Sequence, residues 1–179
     1  MSINNGNNDL VEYLHSLSGE IDPKQGSVAI ILAAGHGKRI KSERSKMLHE
    51  IWGVPTVVRV ANAASKGLAS NNQIIVVGIK ASEVAESAGK RANRIFVYQT
   101  EQKGTGHAVK EALSAISQNG HIKDIYIFPG DMGLITPAVV SELKRRFEQS
   151  GCGLALLTGN YKGEPEANSY GRIIRVPAR

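Results

Sequence analysis

Ile30-Ile31-Leu32-Ala33-Ala34-Gly35-His36-Gly37-Lys38-Arg39 sets a small-residue turn directly behind an apolar run. Ala33, Ala34 and Gly35 leave room for a base or ribose to lie against backbone. Gly35 and Gly37 permit positive φ, so that N–H groups can converge on phosphate oxygens. Lys38, Arg39 and Lys46 supply cationic charge for a triphosphate, and Arg39 carries the planar fork best matched to phosphate. Two rival loops fail. A Walker A loop needs four residues between its first glycine and Gly-Lys, then Ser or Thr. Here one residue separates Gly35 from Gly37, and Arg39 follows Lys38. The dinucleotide fingerprint fails as well, because Ile40 stands where its third glycine belongs. An ordinary tight β-to-α turn accounts for Gly35 and Gly37, but not for the clustered Lys38, Arg39 and Lys46.

Further along, Gln99-Thr100-Glu101-Gln102-Lys103-Gly104-Thr105-Gly106-His107-Ala108 also follows an apolar run. A Gln amide can pair with both donor and acceptor on a pyrimidine edge, and Gly104 lets backbone approach a ring closely. Gln102 and His107 read as a surface amide and a satisfied imidazole at a helix start. A third string, Phe128-Pro129-Gly130-Asp131-Met132-Gly133-Leu134-Ile135, places a lone carboxylate beside a glycine. Asp131 there either initiates a turn or holds Mg²⁺ between protein and phosphate oxygens. No Ser/His/Asp or Cys/His nucleophile set is recognisable. Cys152 is the only cysteine, so no internal disulfide can form, and no Cys/His set has zinc-ligand spacing. It reads as a small buried residue opening a strand.

These residues need a scaffold that brings three loops together. From Val28 onward, short apolar runs at 28–32, 73–77, 94–98, 124–128 and 153–157 alternate with helical patterns at 55–66, 82–90, 106–117 and 137–148. That alternation predicts a three-layer α/β/α sandwich around a mostly parallel, Rossmann-like sheet. Thr136 with Pro137 marks one helix start, and Thr105 is expected to cap another. In such sheets ligands bind beyond the carboxyl ends of the strands, which is where all three strings fall. Residues 1–27 read as an N-terminal extension, with Leu10, Tyr13, Leu14 and Leu17 at helical spacing before Gly19 and Pro23. This helix suits either packing on the domain or docking to a partner. Residues 28–179 form the main domain.

The chain has 179 residues, enough for one ordinary domain. Lys and Arg exceed Asp and Glu by 22 − 16 = 6, but the basic residues are scattered and aromatics are sparse. That suits a phosphorylated small substrate and argues against nucleic acid. The Asn-rich start lacks the basic and apolar regions of a signal peptide, and no run reaches transmembrane length, so a cytoplasmic location and no membrane partner are expected. No hexapeptide repeat is visible. A homo-oligomer stays compatible with the sequence.

Leu32-Ala33-Ala34-Gly35-x-Gly37-x-Arg39, with Lys46-x-Leu48-His49 and Gly53-x-Pro55, resembles the opening signature of the sugar-phosphate nucleotidyltransferases. Within them, the chain is most similar to the N-terminal uridyltransferase domain of bacterial N-acetylglucosamine-1-phosphate uridyltransferases. The family usually has Pro where Ser45 stands and Pro where Gly133 stands. The string from Gln99 to Ala108 resembles the family's uracil-reading segment over nearly its whole length. The resemblance implies a UTP site formed by Leu32, Ala33, Ala34, Gly35, Gly37, Arg39, Lys46, Gln99, Gly104, Thr105 and Gly130. It further implies Asp131 as the Mg²⁺ ligand, catalytic roles for Arg39, Lys46 and Asp131, and Gly171 of Tyr170-Gly171-Arg172 as a contact to an amino-sugar 1-phosphate. Gly171 reads equally well as a glycine where a strand begins. The implied reaction is uridylyl transfer from UTP to N-acetylglucosamine 1-phosphate. The family's later Glu and Asn ligands have no counterpart here. Two other readings therefore stay open: a non-catalytic uridine-nucleotide-binding module, and a nucleotidyltransferase of the wider superfamily acting on another sugar phosphate.

Overall fold

The spacing of Leu10, Leu14 and Leu17 folds Asn5–Leu17 into helix α1, which buries Leu14 and half-buries Leu10 and Leu17 against the main core. The computed structural model describes residues 5–35, 45–116, 122–169 and 171–174. After a 3₁₀ turn at Pro23–Gln25 comes strand β1, Ser27–Ala33. A small hairpin pairs β2, Glu50–Ile51, with β3, Val54–Pro55. Helices and strands then alternate: α2 (Thr56–Leu68), β4 (Gln73–Val77), α3 (Ala81–Ala88), β5 (Arg94–Tyr98), α4 (Thr105–Ile116), β6 (Asp124–Pro129) and α5 (Pro137–Ser150).

The main sheet runs β5-β4-β1-β6, every neighbouring pair parallel. β4 is buried throughout and β1 almost so, which is why both read as unbroken apolar runs. One face packs Ile31, Ile75 and Phe96 against α1, α2, α3 and α5, and the other packs Ile30, Ile74 and Val76 against α4. The expected three-layer α/β/α sandwich is therefore what forms. β6 alternates instead: Tyr126 and Phe128 turn into the core, with Tyr126 meeting Phe147 of α5 edge-on at 6.2 Å. Ile125 and Ile127, on its opposite face, are 40% and 49% exposed. Chain order runs outward from β1 through β4 to β5, then returns to β6 on the far side of β1. The reversal sits between β1 and β6, whose carboxyl ends lie side by side with Leu32 opposite Pro129. An α/β sheet opens its ligand crevice at such a point.

Helix packing fixes the loops that leave these strands. A Cβ on Gly67 of α2 would lie 2.5 Å from Val140 Cβ of α5, so the two helices approach as closely as they do only because Gly67 has no side chain. Thr136 accepts a hydrogen bond from Val139 N at 3.3 Å and Pro137 opens α5, as the sequence predicts. The start of α4 differs from expectation. Ala108 N donates to Gly104 O at 3.2 Å, so Gly104 is the cap and Thr105 is the first helical residue. Beneath the sheet edge, Arg94 is fully buried and donates from Nε and Nη2 to Gln73 Oε1, at 3.0 and 2.6 Å. It also donates to Ala88 O and Gly89 O at the end of α3. Burial, reinforced by Arg91, lowers its pKa to about 10.

The strand expected at 153–157 does not form. Leu154, Leu156 and Leu157 are 83%, 67% and 49% exposed, and Cys152 is exposed rather than buried. The segment borders an apolar hollow with β6 and α5 but joins no ladder among the described residues. An apolar composition suits a strand only once a neighbour supplies the pairing.

Candidate functional site

A cleft of about 240 Å³ opens at the carboxyl ends of β1 and β6, bordered by the start of α4. Leu32, Ala34 and Gly35 line it from the end of β1 and the residues after it; Lys46 and Met47 from the 3₁₀ turn; Gln99, Gln102 and Gly104 from the loop before α4 and Thr105 from its first residue; Asp131 from just beyond β6. Three sequence strings separated along the chain thus meet in one place. Gly37, Lys38 and Arg39, assigned to the same site from sequence, lie outside the described residues. The 360 Å³ hollow against β6 and α5 has only apolar and aromatic side chains on its walls, which leaves it without groups to orient a phosphorylated ligand.

Lys46 opens a 3₁₀ turn, Lys46–Leu48, that Ser45 caps by accepting from Met47 N at 3.3 Å. Thr56, the first residue of α2, clamps the same turn by donating to Lys46 O and Met47 O at 3.0 and 3.1 Å. Lys46 Nζ makes an ion pair with Asp131 Oδ2. Their side chains are 26% and 37% exposed, so the pair stands at the cleft wall and not in the core. The loop carrying Asp131 is anchored from behind: Arg59 of α2 donates to Gly133 O at 2.6 Å. A Cβ on Gly133 would lie 2.8 Å from Thr56 Cγ2 and 2.9 Å from Ile51 Cδ1, so the glycine allows the loop to seat on α2 and β2.

At the other end, Gln99 is 4% exposed and its Nε2 donates to Gly104 O at 3.3 Å. Gly104 holds φ +96°, a region that disfavours any side chain. Gln102 Nε2 donates to Ala34 O at 2.8 Å, tying this loop to the end of β1. Gln102 is therefore more than the free surface amide the sequence suggested. His107 is, as expected, a satisfied imidazole at a helix start: Nδ1 lies 3.0 Å from Gln99 Nε2, and Nε2 lies 3.3 Å from Glu111 Oε1.

Not every assigned residue reaches the cleft. Ala33 is wholly buried in the core beneath it. Gly130 donates from N to Leu32 O at 2.9 Å, and a Cβ there would lie 2.9 Å from that oxygen and 3.0 Å from Met47 Sδ. Gly130 thus lets β6 close on β1, which places Asp131. Gly171 borders a separate open groove with Leu156, Asn168 and Arg172, none of which lines the cleft, and it begins no strand. Sequence reasoning missed Arg59 and Thr56. Both sit in a helical pattern that marks them only as parts of α2, and the loop partner of Arg59, Gly133, lies 74 positions along the chain.

The bifunctional protein GlmU of Shouchella clausii is 39% identical over 151 residues, covering 84% of this chain and 31% of that protein. GlmU of Desulfotalea psychrophila is 39% identical over 152 residues, covering 84% and 43%. The chain spans about a third of the length of the first of these curated relatives. Among solved structures, Rv0371c from Mycobacterium tuberculosis H37Rv matches at a TM-score of 0.54, with 20% identity over 67% of this chain and 59% of that one. A UDP-glucose pyrophosphorylase solved with UDP-glucose matches at 0.53, with 17% identity over 70% and 54%. At those identities the likeness is one of fold. The model of the MobA-like NTP transferase domain matches residues 29–172, a span that contains every residue lining the cleft, and the chain belongs to that family.

Proposed function

We propose that the cleft binds UTP, with the base at Gln99, Gly104 and Thr105 and the phosphates toward Lys46, with Arg39 as a further phosphate ligand carried over from the sequence, and that the reaction served is uridylyl transfer to N-acetylglucosamine 1-phosphate. The observation that supports this best is the meeting of Gln99, Gly104 and Thr105 with Lys46 and Asp131 in one cleft at the β1/β6 reversal. The likeness to GlmU supports the choice of sugar phosphate. In the reaction, a phosphate oxygen of the sugar phosphate attacks the α-phosphorus of UTP, and pyrophosphate leaves. That phosphate is already ionised at neutral pH, so no general base is needed. Catalysis rests on positioning and on charge placed where charge develops.

Among the described residues, no group of three or more His, Cys, Asp or Glu is placed to hold a metal ion. The donor set fits Mg²⁺ only as an ion shared between Asp131 and substrate phosphate oxygens, a usual arrangement for magnesium. Bound so, it would neutralise charge on the phosphates and the leaving pyrophosphate. Lys46 would leave Asp131 and turn to the phosphates.

A second reading, nucleotide binding without turnover by these residues, is favoured by the position of Gly171 on a groove that shares no residue with the cleft. One experiment decides between them. UTP and CTP binding are measured by calorimetry with Mg²⁺, then pyrophosphate release is followed on adding N-acetylglucosamine 1-phosphate. Preferred UTP binding with release supports the transferase, and binding without release supports the module. Equal affinity for UTP and CTP overturns the uridine assignment.

A further inference from the structure

The amide of Gln99 is held on both of its N–H bonds. Nε2 donates to Gly104 O at 3.3 Å and lies 3.0 Å from His107 Nδ1. A carbonyl oxygen only accepts, so the amide atom facing Gly104 has to be the nitrogen. The far end of the same chain of contacts is also acceptor-only, because an ionised Glu111 places Oε1 3.3 Å from His107 Nε2. An imidazole between an amide N–H and a carboxylate satisfies both in one state: neutral, with its proton on Nε2 and its lone pair on Nδ1. Two acceptor-only groups, one at each end, thus set the polarity of the contacts between them. What remains of the Gln99 amide is its oxygen.

We propose that His107, oriented by Glu111, is a positioning residue that holds Gln99 with Oε1 as the polar atom presented to the base, so that the cleft selects a pyrimidine whose ring nitrogen carries a proton. Uracil has N3–H at that position, whereas cytosine has a lone pair there. His107 is absent from the residues that line the cleft, which include Gln99, Gly104 and Thr105; it acts through Gln99. The proposal rests on the uridine-nucleotide reading and adds the source of its selectivity. An amide free to rotate can offer either its oxygen or its nitrogen, and it therefore discriminates poorly. A site that offers one fixed polar atom rejects the mismatched partner because a buried group is left unpaired.

The test is the ratio of UTP to CTP affinity, measured on the full chain with Mg²⁺, for the wild type and for His107→Phe, His107→Asn and Glu111→Gln. His107→Phe removes the acceptor and should lower both UTP affinity and the UTP/CTP ratio about tenfold, the size expected for one buried hydrogen bond. Affinity for inorganic tripolyphosphate, which probes the phosphate end alone, should stay unchanged. His107→Asn places an oxygen near the position of Nδ1 and should restore most of the ratio. Glu111→Gln can donate to His107 Nε2, which permits the opposite tautomer, and the ratio should fall about threefold. Glu111 has a side chain 41% exposed, so this variant keeps the test decisive should His107→Phe fail to fold. An unchanged ratio in folded His107→Phe, or in Glu111→Gln if the Phe variant does not fold, overturns the role of His107 and leaves the uridine reading standing. A wild type that shows no preference for UTP overturns both.

Discussion

The two ends of the cleft are held in different ways. At the end we propose for the base, Gln99 is buried and both its N–H bonds are spent within the protein, on Gly104 O and His107 Nδ1. At the end we propose for the phosphates, Lys46 and Asp131 are partly exposed and paired with each other. A ligand arriving at the first end meets groups already oriented, and little ordering remains to be done. A ligand arriving at the second must separate a cation from an anion before either can serve it. On the proposed reading, the base end is suited to selection, and the phosphate end to a response that depends on charge and on metal.

The largest test of this contrast is Asp131→Ala. If the carboxylate shares Mg²⁺ with the phosphates, magnesium-dependent turnover, followed as pyrophosphate release, should fall on the order of 10²-fold or more. Full retention of magnesium-dependent activity would remove the metal role. Next comes Gly104→Ala at the base end, where φ is +96°. The added methyl strains the turn by about 1–3 kcal/mol, and the loop should either shift or loosen, lowering UTP affinity about tenfold while tripolyphosphate affinity holds. Equal losses for both ligands would show that the ends are not separable.

Lys46→Met sharpens the comparison because its two effects have opposite signs. UTP affinity should fall with the lost cation, whereas Mn²⁺ binding in the absence of nucleotide, read by water-proton relaxation, should tighten two- to fivefold, since Asp131 no longer has a partner to give up. The size follows from an ion pair that is partly exposed and worth roughly 0.5–1 kcal/mol. Weaker Mn²⁺ binding would mean that Lys46 does not compete for Asp131.

The smallest effect lies away from both ends. Glu142, partly exposed on α5 and hydrogen-bonded first by Arg145 and then by Arg146, has its pKa lowered from 4.5 to about 2. A depressed carboxylate stabilises the fold above its ordinary value, and the contribution fades as pH falls from about 4.5 to 2. Its carboxyl resonance should titrate near 2, and thermal melting of Glu142→Gln should differ little from wild type at neutral pH, without any change in UTP affinity.

Much of this arrangement was readable from the chain. β1 and β4 announce themselves as unbroken apolar runs because they are covered on both faces, and Thr136-Pro137 marks the start of α5 by local chemistry alone. The cleft residues were found because loops that follow strands are where such sheets bind ligands. What escaped was long-range or relational. Asp131 pairs with Lys46 across 85 positions, and Arg59 reaches Gly133 O across 74; no spacing rule connects such residues. Gly104, not Thr105, caps α4, because a glycine at positive φ took the position that a hydroxyl was expected to fill. The run at 153–157 has the composition of a strand, but its fate depends on a pairing partner that composition does not contain. Ala33 and Gly130 share the signature of the site yet serve it from beneath, by close packing.

The uncovered side of β6 has a practical meaning for anyone handling the protein. Among the described residues this strand ends the sheet, with Ile125 and Ile127 bare on one face and the exposed leucines of 153–157 close by. An unpaired edge beside apolar surface is a template on which chains stick to one another. That flank is where copies of this polypeptide are expected to associate, and it lies apart from the residues that line the cleft, Pro129 excepted.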